Sequence, residues 1–232
     1  MTEFAINLDN VCFSWKPGTA PVLDIPHLAV PAGERLLIQG PSGSGKTTLL
    51  SLLGGIITPQ TGTVDVLGTT LTQLNAAQRD SFRADHIGFV FQMFNLVPYL
   101  SLADNVTLPC QFSAVRRATA LANAADLTAA ATHLLSQLEL DICELAGRPI
   151  TELSVGQQQR VAAARALIGA PPLIIADEPT SALDADARQL FLELLFREVE
   201  GAGATLIFVS HDLDLRSCFD RTLPLADIIR AT

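Results

Sequence analysis

GPSGSGKTT, residues 40–48, decides how this chain reads. Gly40, Gly45, Lys46 and Thr47 occupy the fixed places of the pattern G-x-x-x-x-G-K-[ST], a glycine-rich turn that wraps phosphate groups. Arg35-Leu36-Leu37-Ile38-Gln39 before it reads as a short buried strand. Residues 47–53 after it read as a helix that stops at Gly54-Gly55. Gly40, Gly43 and Gly45 let the backbone curl, so that successive N–H groups point inward at phosphate oxygens. The helix start adds the positive end of its dipole at the same spot. Lys46 is placed to hold the β- and γ-phosphates, and the Thr47 hydroxyl to ligate Mg²⁺. Ser42 and Thr48 belong to the same nucleotide-binding set. The bland alternative is a glycine-rich turn, and the flanking strand and helix argue against it.

Composition limits what surrounds this loop. Hydrophobic residues make up 49% of the 232 residues and charged residues 17%, which describes an ordered globular chain long enough for one domain or one domain with an insertion. The net charge of −9 argues against a nucleic-acid partner. Cys12, Cys110, Cys143 and Cys218 lie far apart with no metal-ligand spacing, so they read as reduced, mostly buried thiols of a cytosolic protein. The N-terminus has neither the basic start nor the apolar run of a signal peptide. The most apolar later stretch, residues 161–176, is interrupted by Arg165 and Pro171-Pro172, so no segment reaches a membrane span.

Patterning along the chain predicts a parallel α/β sheet preceded by a small β layer. Residues 4–15 and 22–30 read as strands, 63–68 as a short strand, 71–84 as a polar helix, and 87–91 as an apolar strand ending at Gln92. From Met93 to about Ala146 strand signals fade, and Leu127, Ala131, Leu134, Leu135 and Leu138 follow helical spacing; two or three helices are expected there. Residues 173–176 form a continuous apolar run of the central-strand type. Leu190, Phe191, Leu194, Leu195 and Val199 mark a helix face, and residues 204–209 the next buried strand. The predicted organisation is one domain over 1–232, with a core of 1–92 and about 160–232 and a helical subdomain of about 93–159.

Other chemical residues fall at strand ends and one helix start. Asp177 and Glu178 end the run 173–176, and parallel strands share one crevice at their ends, so both carboxylates are expected beside the phosphate loop. Asp177 is then placed to hold Mg²⁺ through water, and Glu178 to polarise the attacking water; the alternative is a helix N-cap. His211 follows the strand 204–209 and can sense the γ-phosphate, or it is structural. Gln92 ends its strand within reach of Mg²⁺ or the attacking water. Ser154 and Gln157 form a capping-box pattern; Ser154, the Gly156 backbone and the helix dipole also make an anion site.

These residues together resemble the nucleotide-binding subunit of ABC transporters. GPSGSGKTT is similar to the Walker A motif, LIIADEPT to Walker B, LSVGQ to the family signature, Ser181-Ala182-Leu183-Asp184 to the D-loop, Gln92 to the Q-loop and His211 to the switch histidine. Six motifs keep family order over almost the whole chain. The resemblance implies an ABC-type P-loop NTPase fold with a RecA-like core, an N-terminal antiparallel β layer and a helical insertion, binding ATP and Mg²⁺. It places Trp15 on the adenine ring, the alternative being a core or edge aromatic. It also implies a head-to-tail homodimer in which ATP lies between Lys46 of one copy and Ser154, Gly156 and Gln157 of the other, with Asp184 at the same junction. Val155 departs from the usual glycine of the signature, and the chain after His211 is short.

Residues 87–98, IGFVFQMFNLVP, and 104–109, DNVTLP, are similar to the lipoprotein-releasing and macrolide-efflux group of bacteria. That implies a transmembrane permease partner, a place on the cytoplasmic, inner face of the cell membrane, and a docking groove just after Gln92. Phe94, Leu96 and Tyr99 suit that groove, or are ordinary core. The alternative class is a soluble ABC ATPase, of which the iron–sulfur assembly type is the hardest to separate.

Overall fold

Alternating apolar and polar residues at the start of the chain become an antiparallel ribbon, β1 (Phe4–Phe13) against β2 (Leu23–Pro31). The computed structural model describes residues 3–145 and 147–230, with the backbone alone of Cys143 and Glu144; the Cys143 thiol lies outside the described residues. The chain divides into two compact units, Met1–Arg83 with Thr205–Thr232, and Ala84–Ala204.

In the first unit, β1 buries Ile6, Leu8, Val11 and Phe13. The alternation skips a beat between Leu8 and Val11 because Asn10 is left-handed (φ 49°) and the pairing with β4 (Thr61–Val66) shifts between Asp9 and Cys12. A bulge of this kind turns one extra residue out of the ladder. The order in this sheet is β2-β1-β4-β5, with β5 at Thr69–Thr70.

Strand β3 (Arg35–Gln39) behaves differently. Leu36, Leu37 and Ile38 are fully buried, so successive residues are covered on both faces, as in a parallel sheet between helices. It leads into α1 (Lys46–Leu53). The predicted helix 71–84 is a 3₁₀ turn, Leu71–Gln73, followed by α2 (Ala76–His86). The reason is a reciprocal cap: Asn75 Oδ1 accepts from Gln78 N and Gln78 Oε1 accepts from Asn75 N, each at 2.9 Å, which starts the helix after Asn75.

The second unit opens with β6 (Ile87–Val90). The expected two or three helices prove to be five shorter ones among the described residues: α3 (Leu102–Thr107), α4 (Pro109–Phe112), α5 (Ala114–Leu121), α6 (Leu127–Gln137) and α7 (Ile142–Leu145). Side-chain caps at Ser101, Ser113 and Asp126 and the break at Pro109 divide the segment, and only α6 is regular enough to show its period in sequence. Then come α8 (Val155–Leu167), β7 (Leu173–Asp177), parallel to β6, and α9 (Ala185–Gly201). Helix α8 descends so closely onto β6 that a Cβ on Gly88 would stand 2.2 Å from the Ala166 carbonyl oxygen. Arg116 on α5 secures that end of α8. Its guanidinium is buried and donates to the carbonyls of Ile168 (2.6 and 2.8 Å), Ala166 (2.7 Å), Arg165 (3.1 Å) and Ile87 (3.4 Å). A cation there also meets the negative end of the helix dipole. Burial pushes its pKa down to about 10, so it remains charged at neutral pH.

The chain returns to the first unit with β8 (Thr205–Ser210), parallel to β3. It closes with β9 (Arg221–Pro224), parallel to β3 on its other side, and α10 (Leu225–Ile228). The sequence offers no sign of these last two elements: RTLP is short and polar, and its partner is distant in the chain.

Candidate nucleotide-binding site

The phosphate loop joins β3 to α1. Gly45, the N-cap of α1, has φ 103° and makes no side-chain cap, and a helix start of this kind suits an anion. Lys46 is 5% exposed, and its Nζ donates to the carbonyls of Gly40 (2.7 Å) and Pro41 (2.9 Å). The ammonium therefore lies folded over the loop. The Ser44 hydroxyl is buried without a hydrogen-bond partner among the described residues, and a Cβ on Gly40 would come within 2.8 Å of it. Buried hydroxyls are normally satisfied, so Ser44 points to a missing acceptor or donor in this loop. Ser42, Gly43 and Thr47 are exposed, and Thr48 is buried.

In the same unit, His211 follows β8. Gln39 is in register with Ser210, so His211 and the phosphate loop leave neighbouring parallel strands at the same end. His211 is exposed. Trp15 is 63% exposed and meets Phe13 edge-on, with centroids 5.1 Å apart, so it is not a core aromatic.

In the second unit, Val90 is in register with Ala176, which brings Gln92 and the pair Asp177, Glu178 to the same end of β6 and β7. Gln92 lies in an exposed turn just past Val90 rather than at the strand's last residue. Asp177 closes β7. Glu178 is left-handed, φ 45°, which costs a non-glycine residue roughly 1–2 kcal/mol and breaks the extended backbone just past β7. The helix-cap alternative for these two carboxylates belongs instead to Asp184, whose Oδ1 accepts from Ala187 N at 2.8 Å at the start of α9.

At the start of α8 the capping box is formed in full. Ser154 Oγ accepts from Gln157 N (3.3 Å) and Gln157 Oε1 accepts from Ser154 N (2.9 Å). Gly156 has only Leu183 Cδ2 near, 3.9 Å from a would-be Cβ, so packing inside this unit does not demand glycine there. Val155, in the place of the family glycine, is 45% exposed.

Past Gln92 the residues named for the docking groove differ in burial. Phe94 is core, 9% exposed, Leu96 is half-buried, and Tyr99 is 87% exposed; Met93, which the sequence reading passed over, is 80% exposed. The cysteine reading is corrected: Cys110 is buried, and burial raises its pKa, but Cys12 is half-buried and Cys218 exposed. Ser44 and Gln39 were missed as well. The visible signal for each was a polar residue inside or next to an otherwise apolar or glycine-rich stretch.

The family model for ABC transporters matches residues 23–181, a span that includes the phosphate loop, Gln92, the LSVGQ stretch and Glu178. The chain belongs to the ABC transporter family. It is an ATP-binding and ATP-hydrolysing cassette of that family. The lipoprotein-releasing system ATP-binding protein LolD of Syntrophotalea carbinolica is 39% identical over 96% of this chain and 95% of its own length. The ABC transporter ATP-binding protein YtrE of Bacillus subtilis is 39% identical over 87% of this chain and 84% of its own. Among solved structures, the dimeric post-hydrolysis state of the ATP-binding cassette MJ0796, bound to ADP and Pi, superposes with a TM-score of 0.83 at 35% identity, covering 97% of both chains. None of these relatives supports the soluble iron–sulfur alternative. Among the described residues no helix is long and apolar enough to cross a membrane.

Proposed function

We propose that this chain is the ATPase subunit of a bacterial membrane complex of the lipoprotein-releasing and efflux type, seated on the cytoplasmic face of the cell membrane beneath a transmembrane permease. Trp15 stacks on adenine. The N–H groups of residues 40–48 and the Lys46 ammonium hold the phosphates, with Ser42, Gly43, Ser44 and Thr48 lining the loop. Two copies pair head to tail, so that Ser154, Gly156 and Gln157 of one complete the phosphate site of the other, with Asp184 at the same junction. The cassette is one domain over 1–232 with a helical subdomain of about 93–159.

The donor set suits Mg²⁺, since Thr47, Asp177 and Gln92 all offer oxygen, the ligand that this hard cation prefers. Among the described residues no group of three or more His, Cys, Asp and Glu side chains is placed to hold a metal, so a softer transition-metal site is not indicated. When bound, Mg²⁺ neutralises charge on the phosphates. The chain's residues do the rest. Glu178 accepts the proton of the attacking water. His211 hydrogen-bonds the γ-phosphate, and Gln92 orients the water.

The observation that carries this reading is near-full-length similarity to LolD together with the position of the chemical residues at the carboxyl ends of parallel strands. Glu178→Gln tests it. The variant should bind ATP, dimerise and turn over at least ~100-fold more slowly, the scale of a lost general base. The same variant, tagged and held with ATP, should copurify from detergent-solubilised host membranes with a multi-span protein. Recovery of soluble partners alone would refute the transporter assignment.

A further inference from the structure

Arg165 lies on the buried side of α8, 8% exposed, in a helix that otherwise buries Gln159 and a set of alanine, valine and leucine side chains. Its Nη1 donates to the Asn95 carbonyl at 2.6 Å and its Nη2 to the Phe94 carbonyl. Burial pushes its pKa down, and those two carbonyls replace water that the buried guanidinium loses. Phe94 (φ 57°) and Asn95 (φ 49°) are consecutive left-handed residues, neither of them glycine, separated from Gln92 by Met93 alone. Left-handed residues in sequence turn their carbonyls toward a common side, and the planar fork of an arginine, unlike the point charge of a lysine, can take both.

The same loop is gripped a second time. Asn105 on α3, fully buried, accepts from Val97 N (2.8 Å) and donates to the carbonyls of Val97 (3.0 Å), Leu100 (3.3 Å) and Ser101 (3.1 Å). Helix α3 packs in turn on α8. The loop that carries Gln92 therefore rests on α8 directly through Arg165 and indirectly through Asn105. At its other end α8 begins at Ser154.

We propose that Arg165 is a positioning residue for ATP hydrolysis: it makes the Gln92 loop and helix α8 move as one body, so that the place of Gln92 sets the place of Ser154. This rests on the roles proposed above for Gln92 and Ser154. Arg165 itself touches no substrate. Its removal lets Gln92 and Ser154 relax independently, and a misplacement on the order of 1 Å can cost up to about 100-fold in rate.

A double-mutant cycle on the full chain tests this, with kcat and KM for ATP measured for wild type, Arg165→Met, Gln92→Ala and the double variant. Arg165→Met should lower kcat at least ~10-fold with KM within about twofold, because the phosphate loop is untouched. In the Gln92→Ala background the same change should cost less than about twofold, since residues acting through one another are not additive. Arg165→Lys should recover part of the rate. If Arg165→Met melts more than about 10 °C below wild type, the cycle is run with Arg165→Lys, where the expected loss is roughly threefold with the same non-additivity. Wild-type kcat, or losses that multiply in the double variant, would overturn the proposal. Glu178→Gln, measured alongside, separates the two readings. Undiminished turnover in that variant removes the assigned base, whereas an inactive Glu178→Gln with multiplying Arg165 and Gln92 losses removes only the coupling.

Discussion

Gln39, the last residue of β3, donates from Nε2 to the main-chain carbonyl of Asp212 at 2.7 Å, and its Oε1 accepts from Arg216 Nε at the same distance. One buried amide thus joins the residue before the phosphate loop to the residue after His211. Gln39→Leu removes both bonds. The expected cost is about 1–3 kcal/mol in urea unfolding, with faster amide exchange at residues 211–216. Unchanged exchange there would show that the amide does not hold the histidine segment.

Lys46 is held by two loop carbonyls, so its replacement acts on binding more than on the fold. Lys46→Ala should weaken ATP binding by roughly 10–100-fold, the scale of one or two charge-assisted hydrogen bonds. Its melting temperature should stay close to wild type. The chain has one tryptophan, Trp15, so quenching of intrinsic fluorescence by ATP reads this affinity without a label.

Trp15 carries its own prediction. Exposed as it is, Trp15→Ala should change stability by no more than about 0.5 kcal/mol. If the indole stacks on adenine, the variant binds ATP about 2–12-fold less tightly, matching the ~0.5–1.5 kcal/mol of an aromatic pair. Isothermal titration supplies the number, and equal affinity would remove Trp15 from the site.

Substitution can separate the helix cap that Ser154 makes from the phosphate contact proposed for it. Ser154→Ala loses the capping box and about 1 kcal/mol of stability. Ser154→Asp keeps a good cap, so it should melt near wild type, yet it sets a carboxylate against the phosphates of the opposing copy. ATP-dependent dimerisation of Ser154→Asp in the Glu178→Gln background should therefore vanish in size-exclusion chromatography. Dimers that persist would leave Ser154 as a helix cap only.

Arg35 and Asp220 tie the starts of β3 and β9. Asp220 accepts from Arg35 Nη2 (2.6 Å), Nε (3.1 Å) and main-chain N (2.8 Å). The side-chain hydrogen bonds from Arg35 hold the Asp220 carboxyl below its usual pKa. A carboxylate with a lowered folded pKa stabilises the fold above its unfolded value, near 3.9, and loses that contribution as pH falls through the folded value. The Asp220 side chain is 43% exposed, so solvent screening keeps the effect within about 1 kcal/mol. Asp220→Asn should be less stable than wild type at pH 7, and the two should converge in acid unfolding curves as pH falls through the lowered carboxyl pKa.

The strands that were legible in sequence were those whose burial is written in a local pattern. β3, β7 and β8 are continuous apolar runs because both faces are covered, and each appears within a residue or two of its predicted place. The phosphate loop was legible because its geometry needs glycines at set places. α3 to α5 were not, since short capped helices leave too few turns to show a period. β9 was hidden because its only local signal is RTLP, and its pairing with β3 depends on residues far away in the chain.

By itself, the sequence determined the nucleotide loop, the parallel-strand core and the family, because backbone conformation at glycines and covering of apolar strands are local demands. Only the tertiary structure decided which polar side chains are buried and what they hold. Gln39, Ser44, Arg116 and Arg165 look like ordinary polar residues in the sequence, and become a strut, an unpartnered hydroxyl, a helix-end clamp and a loop clamp once packing removes water from them. A hydrogen bond is decisive where water is excluded, and exclusion of water is a property of the packed chain rather than of any short stretch of it.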